Sequence, residues 1–290
     1  MWTAERLRTR FPAYAMVSGI AILLMAAGCS ALDSLSGLRQ STINWAEARG
    51  FVEMELKAGT FDLTAFIRRP KLPVETLETL TIYIEGDGAA WPTPYHPPRD
   101  PTPLKPVSLV LAAADPAPAV AYLGRPCQYL EAHSLARCSS EYWVEKRYAP
   151  EVVEASDAAV TKLKALFDAR HVRLVGYSGG GVIATLVAAR RSDVEALITV
   201  AAPLAVAKWI QWHGASPLTG SLDPIDLDKP LPAGVHFAGK DDKTVPTAIV
   251  DHFVSVKDGR VIVIPDFDHE CCWTRDWTML LKGIRAKESK

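Results

Sequence analysis

Nowhere in its 290 residues does the sequence repeat itself or fall into a low-complexity tract, which excludes solenoids and other repeat arrays. Beyond residue 30 it lacks any apolar run long enough for a spanning helix, which needs about 20 residues. It has no excess of charge: 32 Lys and Arg stand against 33 Asp and Glu, with no basic stripe, so nucleic acid is not a partner the composition supports. Cysteine is scarce, five in all and none in a Cys-x-x-Cys pair. Zinc is thereby left with Cys127, His133, Cys138 and one distant ligand, a poor alternative. No Gly-x-Gly-x-x-G and no phosphate-binding lysine accompany the glycine-rich stretch near residue 178, which argues against a phosphate cradle. Neither a metal nor a cofactor is implied.

What the chain does have begins at its N-terminus. Arg6, Arg8 and Arg10 precede an apolar run over residues 17–27, which ends in Ala26-Ala27-Gly28-Cys29-Ser30. That is the layout of a secretory signal. The cysteine after small residues resembles the bacterial lipoprotein box, with Ala26 where Leu is usual, and this implies lipid attachment at Cys29. The alternative is an uncut anchor helix, for which the apolar core is short. The arginines are not adjacent, which argues against twin-arginine export. The expectation is an exported protein, periplasmic or on the cell surface, held to a bacterial membrane by its lipid. Residues 1–28 would be the signal, 29–50 a tether and 51–290 a single domain. The signal removes three arginines and Glu5, leaving 29 basic and 32 acidic residues. Setting Cys29 aside leaves four cysteines, an even number that suits disulfides in an exported chain. Cys127 with Cys138 is the preferred pair, closing a loop of about 12 residues worth ~3 kcal/mol. The adjacent Cys271 and Cys272 could form a vicinal ring or remain thiols.

The remainder reads as alternating elements. Residues 51–57 and 61–68 form an opening hairpin, and 79–85 a buried strand that stops at Gly86-Asp87-Gly88. Seven prolines make 89–106 a loop. A helix is predicted over 107–114 and a strand over 119–123. The segment between Cys127 and Cys138 reads as irregular, and a helix follows over 151–169. Strands at 172–176, 196–201, 234–238 and 260–264 then alternate with helices at 180–191, 245–253 and 273–287. The fold class is α/β, a mostly parallel central sheet with helices on both faces. Small lid-like insertions fall at 89–106, 125–150 and 203–231.

The chemistry centres on Gly176-Tyr177-Ser178-Gly179-Gly180, set between an apolar strand and an apolar helix. That context is the one a strained strand-to-helix turn needs if it is to present a serine as nucleophile. A serine hydroxyl is a poor nucleophile until an imidazole takes its proton and a carboxylate orients that imidazole. Downstream, Gly239-Lys240-Asp241-Asp242-Lys243-Thr244-Val245-Pro246 follows a strand, and His269 lies in the loop after the last strand. Asp242 is the favoured acid and Asp241 the alternative. His252 falls within a predicted helix, so His269 is the candidate base. For the oxyanion, the N–H of Gly179 and that of Asp87 are the candidate donors. Tyr177, Trp91, Trp209 and Trp212 are candidates to line an apolar pocket, or to pack the insertions against the body.

Taken together, these residues resemble the α/β-hydrolase superfamily over about residues 51–285. Gly239 to Pro246 is similar to the Gly-x-x-Asp-x-x-Val-Pro pattern that places the acid at Asp242. Tyr83 to Gly88 resembles the oxyanion loop of lipases and esterases, with Glu85 in place of the usual His. Arg125-Pro126-Cys127-Gln128 and the Glu-Gly-Asp-Gly loop look similar to exported bacterial members. The resemblance implies an esterase- or lipase-like serine hydrolase acting on a small-molecule or lipid-like ester. A peptidase or amidase with the same triad and a non-catalytic surface-binding lipoprotein are the other readings.

Overall fold

The computed structural model describes residues 30–70, 76–89 and 96–288. It divides into two units, residues 1–38 and 39–290. Of the first only 30–38 are described, as the start of α1 (Ser30–Glu47). The signal segment, Cys29 and Trp91 lie outside the described residues. No described helix is long and apolar enough to cross a membrane.

After α1 come β1 (Val52–Ala58), β2 (Phe61–Arg68), β3 (Leu77–Ile84), α2 (Val107–Ala114), β4 (Val120–Leu123), α3 (Ala132–Leu135), α4 (Pro150–Leu166) and β5 (Ala169–Tyr177). The second half runs α5 (Gly179–Ala188), β6 (Val194–Val200), α6 (Val206–His213), β7 (Gly234–Gly239), α7 (Thr247–Val254), β8 (Arg260–Ile264) and α8 (Trp273–Glu288). The eight strands form one sheet in the order β1-β2-β4-β3-β5-β6-β7-β8. β2 pairs antiparallel with β1 and β4, and every other pairing is parallel.

The central strands read as continuous apolar runs because both their faces are covered. On β3, Leu80, Ile82 and Ile84 join one core layer, while Tyr83 points into the other. On β5, Val172 and Leu174 share the first layer with α4 and α5, and Val175 and Tyr177 share the second with α2 and α8. Trp273 and Trp277, four residues apart and fully buried, seat α8 on the sheet. Trp277 also donates its indole N–H to Tyr83 Oη at 2.8 Å, and Tyr83 donates to Asp115 at 2.7 Å.

Three local expectations change. The tether expected over 29–50 is helical from Ser30 to Glu47. Ile43 and Ala46, three apart on that helix, are buried, and Arg39 pairs with Glu53 and Glu131. The insertion at 203–231 contains α6, which ends at Gly214 in the left-handed conformation that glycine tolerates. The segment between Cys127 and Cys138 holds the short α3. Cys127 and Cys138 are bonded to each other, with Cα atoms 6.0 Å apart. Their thiolates are therefore not available to zinc, which overturns that alternative. Cys271 and Cys272 are also joined, as a vicinal disulfide.

Candidate active site

β5 delivers the chain to Tyr177, and α5 starts at Gly179. Ser178 lies between them at φ 51°, ψ −128°, a backbone conformation that costs a non-glycine residue of order 1–3 kcal/mol. The surroundings hold it there. Ser178 N–H donates to Val200 O at 2.8 Å, and Gly181 N–H donates to Ser178 O at 2.9 Å. The turn closes this tightly because its neighbours lack side chains. A β-carbon at Gly176 would overlap Gly180 O, and one at Gly180 would overlap Ile84 O and Glu85 O.

His269 reaches Ser178 from the loop after β8. Its Nε2 lies 3.1 Å from Ser178 Oγ, and its Nδ1 lies 2.9 Å from Asp242 Oδ2. Asp242 is buried on the turn after β7, where its Oδ1 accepts the N–H groups of Thr244 at 2.8 Å and Val245 at 2.7 Å. With Asp242 ionised, Nδ1 must carry the proton, which leaves the Nε2 lone pair to accept from the serine. Asp241 is exposed, and its backbone N–H donates to Phe267 O at 2.9 Å. Lys240 N–H likewise donates to Ile264 O at 2.9 Å, so the acid loop and the histidine loop are stitched together. Asp268 caps its own loop, accepting from Glu270 N–H at 2.9 Å and Cys271 N–H at 2.6 Å.

No family model matches the sequence, and no curated protein matches it. Solved structures do match in three dimensions. Est1E from Butyrivibrio proteoclasticus superposes with a TM-score of 0.56 at 15% identity, over 81% of this chain and 98% of that one. A serine hydrolase from Xanthomonas campestris, described as lacking a lid, gives 0.52 at 15% identity over 80% and 90%. The acylaminoacyl peptidase of Pyrococcus horikoshii gives 0.57 at 11% identity, over 81% of this chain and 41% of that one. The chain has the α/β-hydrolase fold.

In that α/β-hydrolase fold, the turn after β3 faces the serine. A β-carbon at Gly86 would come 3.5 Å from Ser178 Cβ. Asp87 follows, and no described backbone carbonyl accepts from its N–H or from that of Gly179, the first residue of α5. The Asp87 carboxylate, beside Gly179, is met by Arg125 Nη1 at 3.2 Å, Arg147 Nη1 at 3.0 Å and Tyr148 Oη at 2.9 Å. Sequence reasoning missed Arg147 and Tyr148 altogether. It met Arg125 only as part of a resembling segment.

Glu85, which the resemblance of this loop sets in place of a His, is buried. It accepts from Gly86 N–H at 2.9 Å, Ser108 N–H at 3.4 Å and Tyr122 Oη at 3.2 Å. Burial outweighs these bonds and raises its carboxyl from 4.5 to about 7. Between those two values the folded state keeps a proton that the unfolded state has released. Glu85's contribution is thus fully present below 4.5, is lost as pH rises through about 7, and levels off above it. Glu85→Gln cannot ionise and should flatten this decline, worth roughly 3 kcal/mol in total. Urea midpoints of both proteins between pH 4 and 8 check it; parallel curves would refute it.

The aromatic residues divide. Tyr177 is buried and donates its hydroxyl to His269 O at 3.0 Å, which braces the histidine loop. Trp209 packs α6 against Val245 and Ile249 and donates to Thr244 O at 2.7 Å, so it fixes the insertion to the body. Trp212 is exposed.

Proposed function

We propose that the chain is a serine hydrolase of carboxylic esters that works through an acyl-enzyme on Ser178. The observation that carries this is the unbroken relay from Ser178 Oγ through His269 to Asp242, at 3.1 and 2.9 Å. Ser178 Oγ attacks the ester carbonyl as its proton passes to His269 Nε2. Asp242 holds the Nδ1 proton and stabilises the imidazolium that forms. The N–H groups of Gly179 and Asp87 receive the oxyanion. Collapse expels the alcohol, which takes the proton from His269. Water then repeats the sequence in reverse, releasing the acid and restoring Ser178.

An ester is the bond we put forward in preference to an amide, and a matched pair of probes compares the two directly. We further propose that the enzyme is exported and tethered to a membrane by diacylglycerol on Cys29, which the intact mass of the mature chain tests.

A fluorophosphonate should label the folded protein at the peptide carrying Ser178. p-Nitrophenyl butyrate should be hydrolysed far faster than a p-nitroanilide of the same acid. A protein that reacts with no fluorophosphonate and hydrolyses neither probe would end the reading. Faster turnover of the anilide would move it to the amidases.

A further inference from the structure

We infer that the Asp87 side chain is a positioning group: gripped by Arg125, Arg147 and Tyr148, its carboxylate locks the turn at residues 86–88 against Gly179 and so fixes the backbone N–H that meets the oxyanion. This rests on the proposed acyl transfer and names a further group that serves it.

The grip comes from two segments remote in sequence. Arg125 lies just past β4, and Arg147 and Tyr148 immediately precede α4. Arg125 Nη1 donates to Asp87 Oδ1, while Arg147 Nη1 and Tyr148 Oη both donate to Oδ2. The two arginines are tied to each other, since Arg125 Nη2 donates to Arg147 O. Gln128 closes the ring. Its Oε1 accepts from Arg125 N–H at 3.0 Å, and its Nε2 donates to Gly86 O at 3.1 Å. Both the carboxylate and the preceding carbonyl of the turn are therefore held by one assembly.

An assembly built only for stability would not look like this. Its side chains are largely withdrawn from water, with 5% of Arg125, 13% of Arg147 and 24% of Asp87 exposed. Desolvating three charges is expensive, and apolar packing would serve stability as well or better. The charges do not balance, as two guanidiniums face one carboxylate. Arg125 Nε is buried without an acceptor among the described residues. Burial by itself would raise the Asp87 carboxyl, but Arg147 and Arg125 outweigh it and hold it below its usual value, so the group is an anion.

Its location supplies the reason. The carboxylate fills the space beside Gly179 Cα, where a β-carbon would overlap its oxygens. The first residue of α5 and the turn after β3 are therefore packed against each other through this one side chain. A donor that must meet developing negative charge gains from being fixed beforehand.

Two effects could act here, position and the surplus positive charge, and they predict opposite results. Asp87→Asn keeps the shape, removes the anion that both arginines and Tyr148 address, and makes the local charge more positive. With p-nitrophenyl butyrate as probe, kcat should fall about 10- to 100-fold, somewhat less than loss of an entire oxyanion donor. KM should stay within about threefold, because the contact matters in the transition state. An unchanged or higher kcat, or a loss confined to KM, would overturn the inference.

Tyr148→Phe leaves both ion pairs and should lower kcat several-fold with the same pattern. It decides the matter should Asp87→Asn fail to fold, as judged by thermal unfolding. A double-mutant cycle adds a second readout. Gly179→Ala should be severely impaired, yet in an Asp87→Gly background the same change should cost little more, because the overlapping carboxylate is gone. Additive losses would contradict the contact. Wild type that turns over and is matched by Asp87→Asn removes this inference alone, whereas wild type inert to both ester and fluorophosphonate removes the proposed function and this inference with it.

Discussion

Asp242→Asn is expected to lower kcat toward an activated ester about 10⁴-fold, whereas Asp241→Asn should stay within about threefold of wild type. The difference follows from hydrogen-bond accounting. Asp242 Oδ1 accepts two backbone N–H groups, from Thr244 and Val245. An asparagine there must turn its single oxygen toward those donors, which places its NH₂ against His269 Nδ1. Two donors cannot face each other, so Nδ1 gives up its proton and the imidazole carries it on Nε2 instead. Nε2 then has no lone pair to take the proton of Ser178. Asp241, exposed and one residue earlier, meets the histidine loop only through its backbone. Steady-state kinetics of the two variants side by side checks the assignment, and equal losses or the reverse order would defeat it.

Gly180→Ala should be strongly destabilising, at about 3 kcal/mol or beyond, the upper end for overpacking. The added carbon would overlap Ile84 O and Glu85 O, which are backbone atoms at the end of β3. A flexible side chain could rotate away, but a strand terminus paired to β4 and β5 cannot. Relief would require moving α5 off the sheet, and Ser178 and the N–H of Gly179 move with it. Activity should therefore fall along with the denaturation midpoint. Urea unfolding with the m-value monitored measures it; a midpoint equal to that of wild type would show that the helix start has room to spare.

Much of the fold is legible in the sequence. The central strands announced themselves because burial on both faces makes them continuous apolar runs, as on β5. Ser178, Asp242 and His269 stand out as candidates because each sits in a loop directly after a recognisable strand, whereas the distances among them concern atoms no sequence displays. The Cys127–Cys138 pair was suggested by its short spacing. Other features depend on partners far along the chain. Among the described side chains of α1, Ile43 and Ala46 are the buried apolar ones, too little for periodicity to separate from a polar tether. α6 carries two tryptophans, and the bond from Trp209 to Thr244 O with its packing on Val245 and Ile249 reveals what the first of them holds. Arg147 and Tyr148 stand about 60 residues from Asp87, and nothing local marks them.

The stitching between the acid and histidine loops bears on how such a chain can change length. Lys240 and Asp241 bond to Ile264 and Phe267 within a span that leaves no slack, and Gly239 has no space for a side chain beside Phe267 O. A residue inserted or deleted between 239 and 242 would slip this register and draw Asp242 away from its imidazole. The stretch at 203–231 is under no such constraint at its exposed tip, since the packing of α6 against the body stems from one face of the helix. Growth and loss of sequence are open to the tip of the second segment and closed to the first.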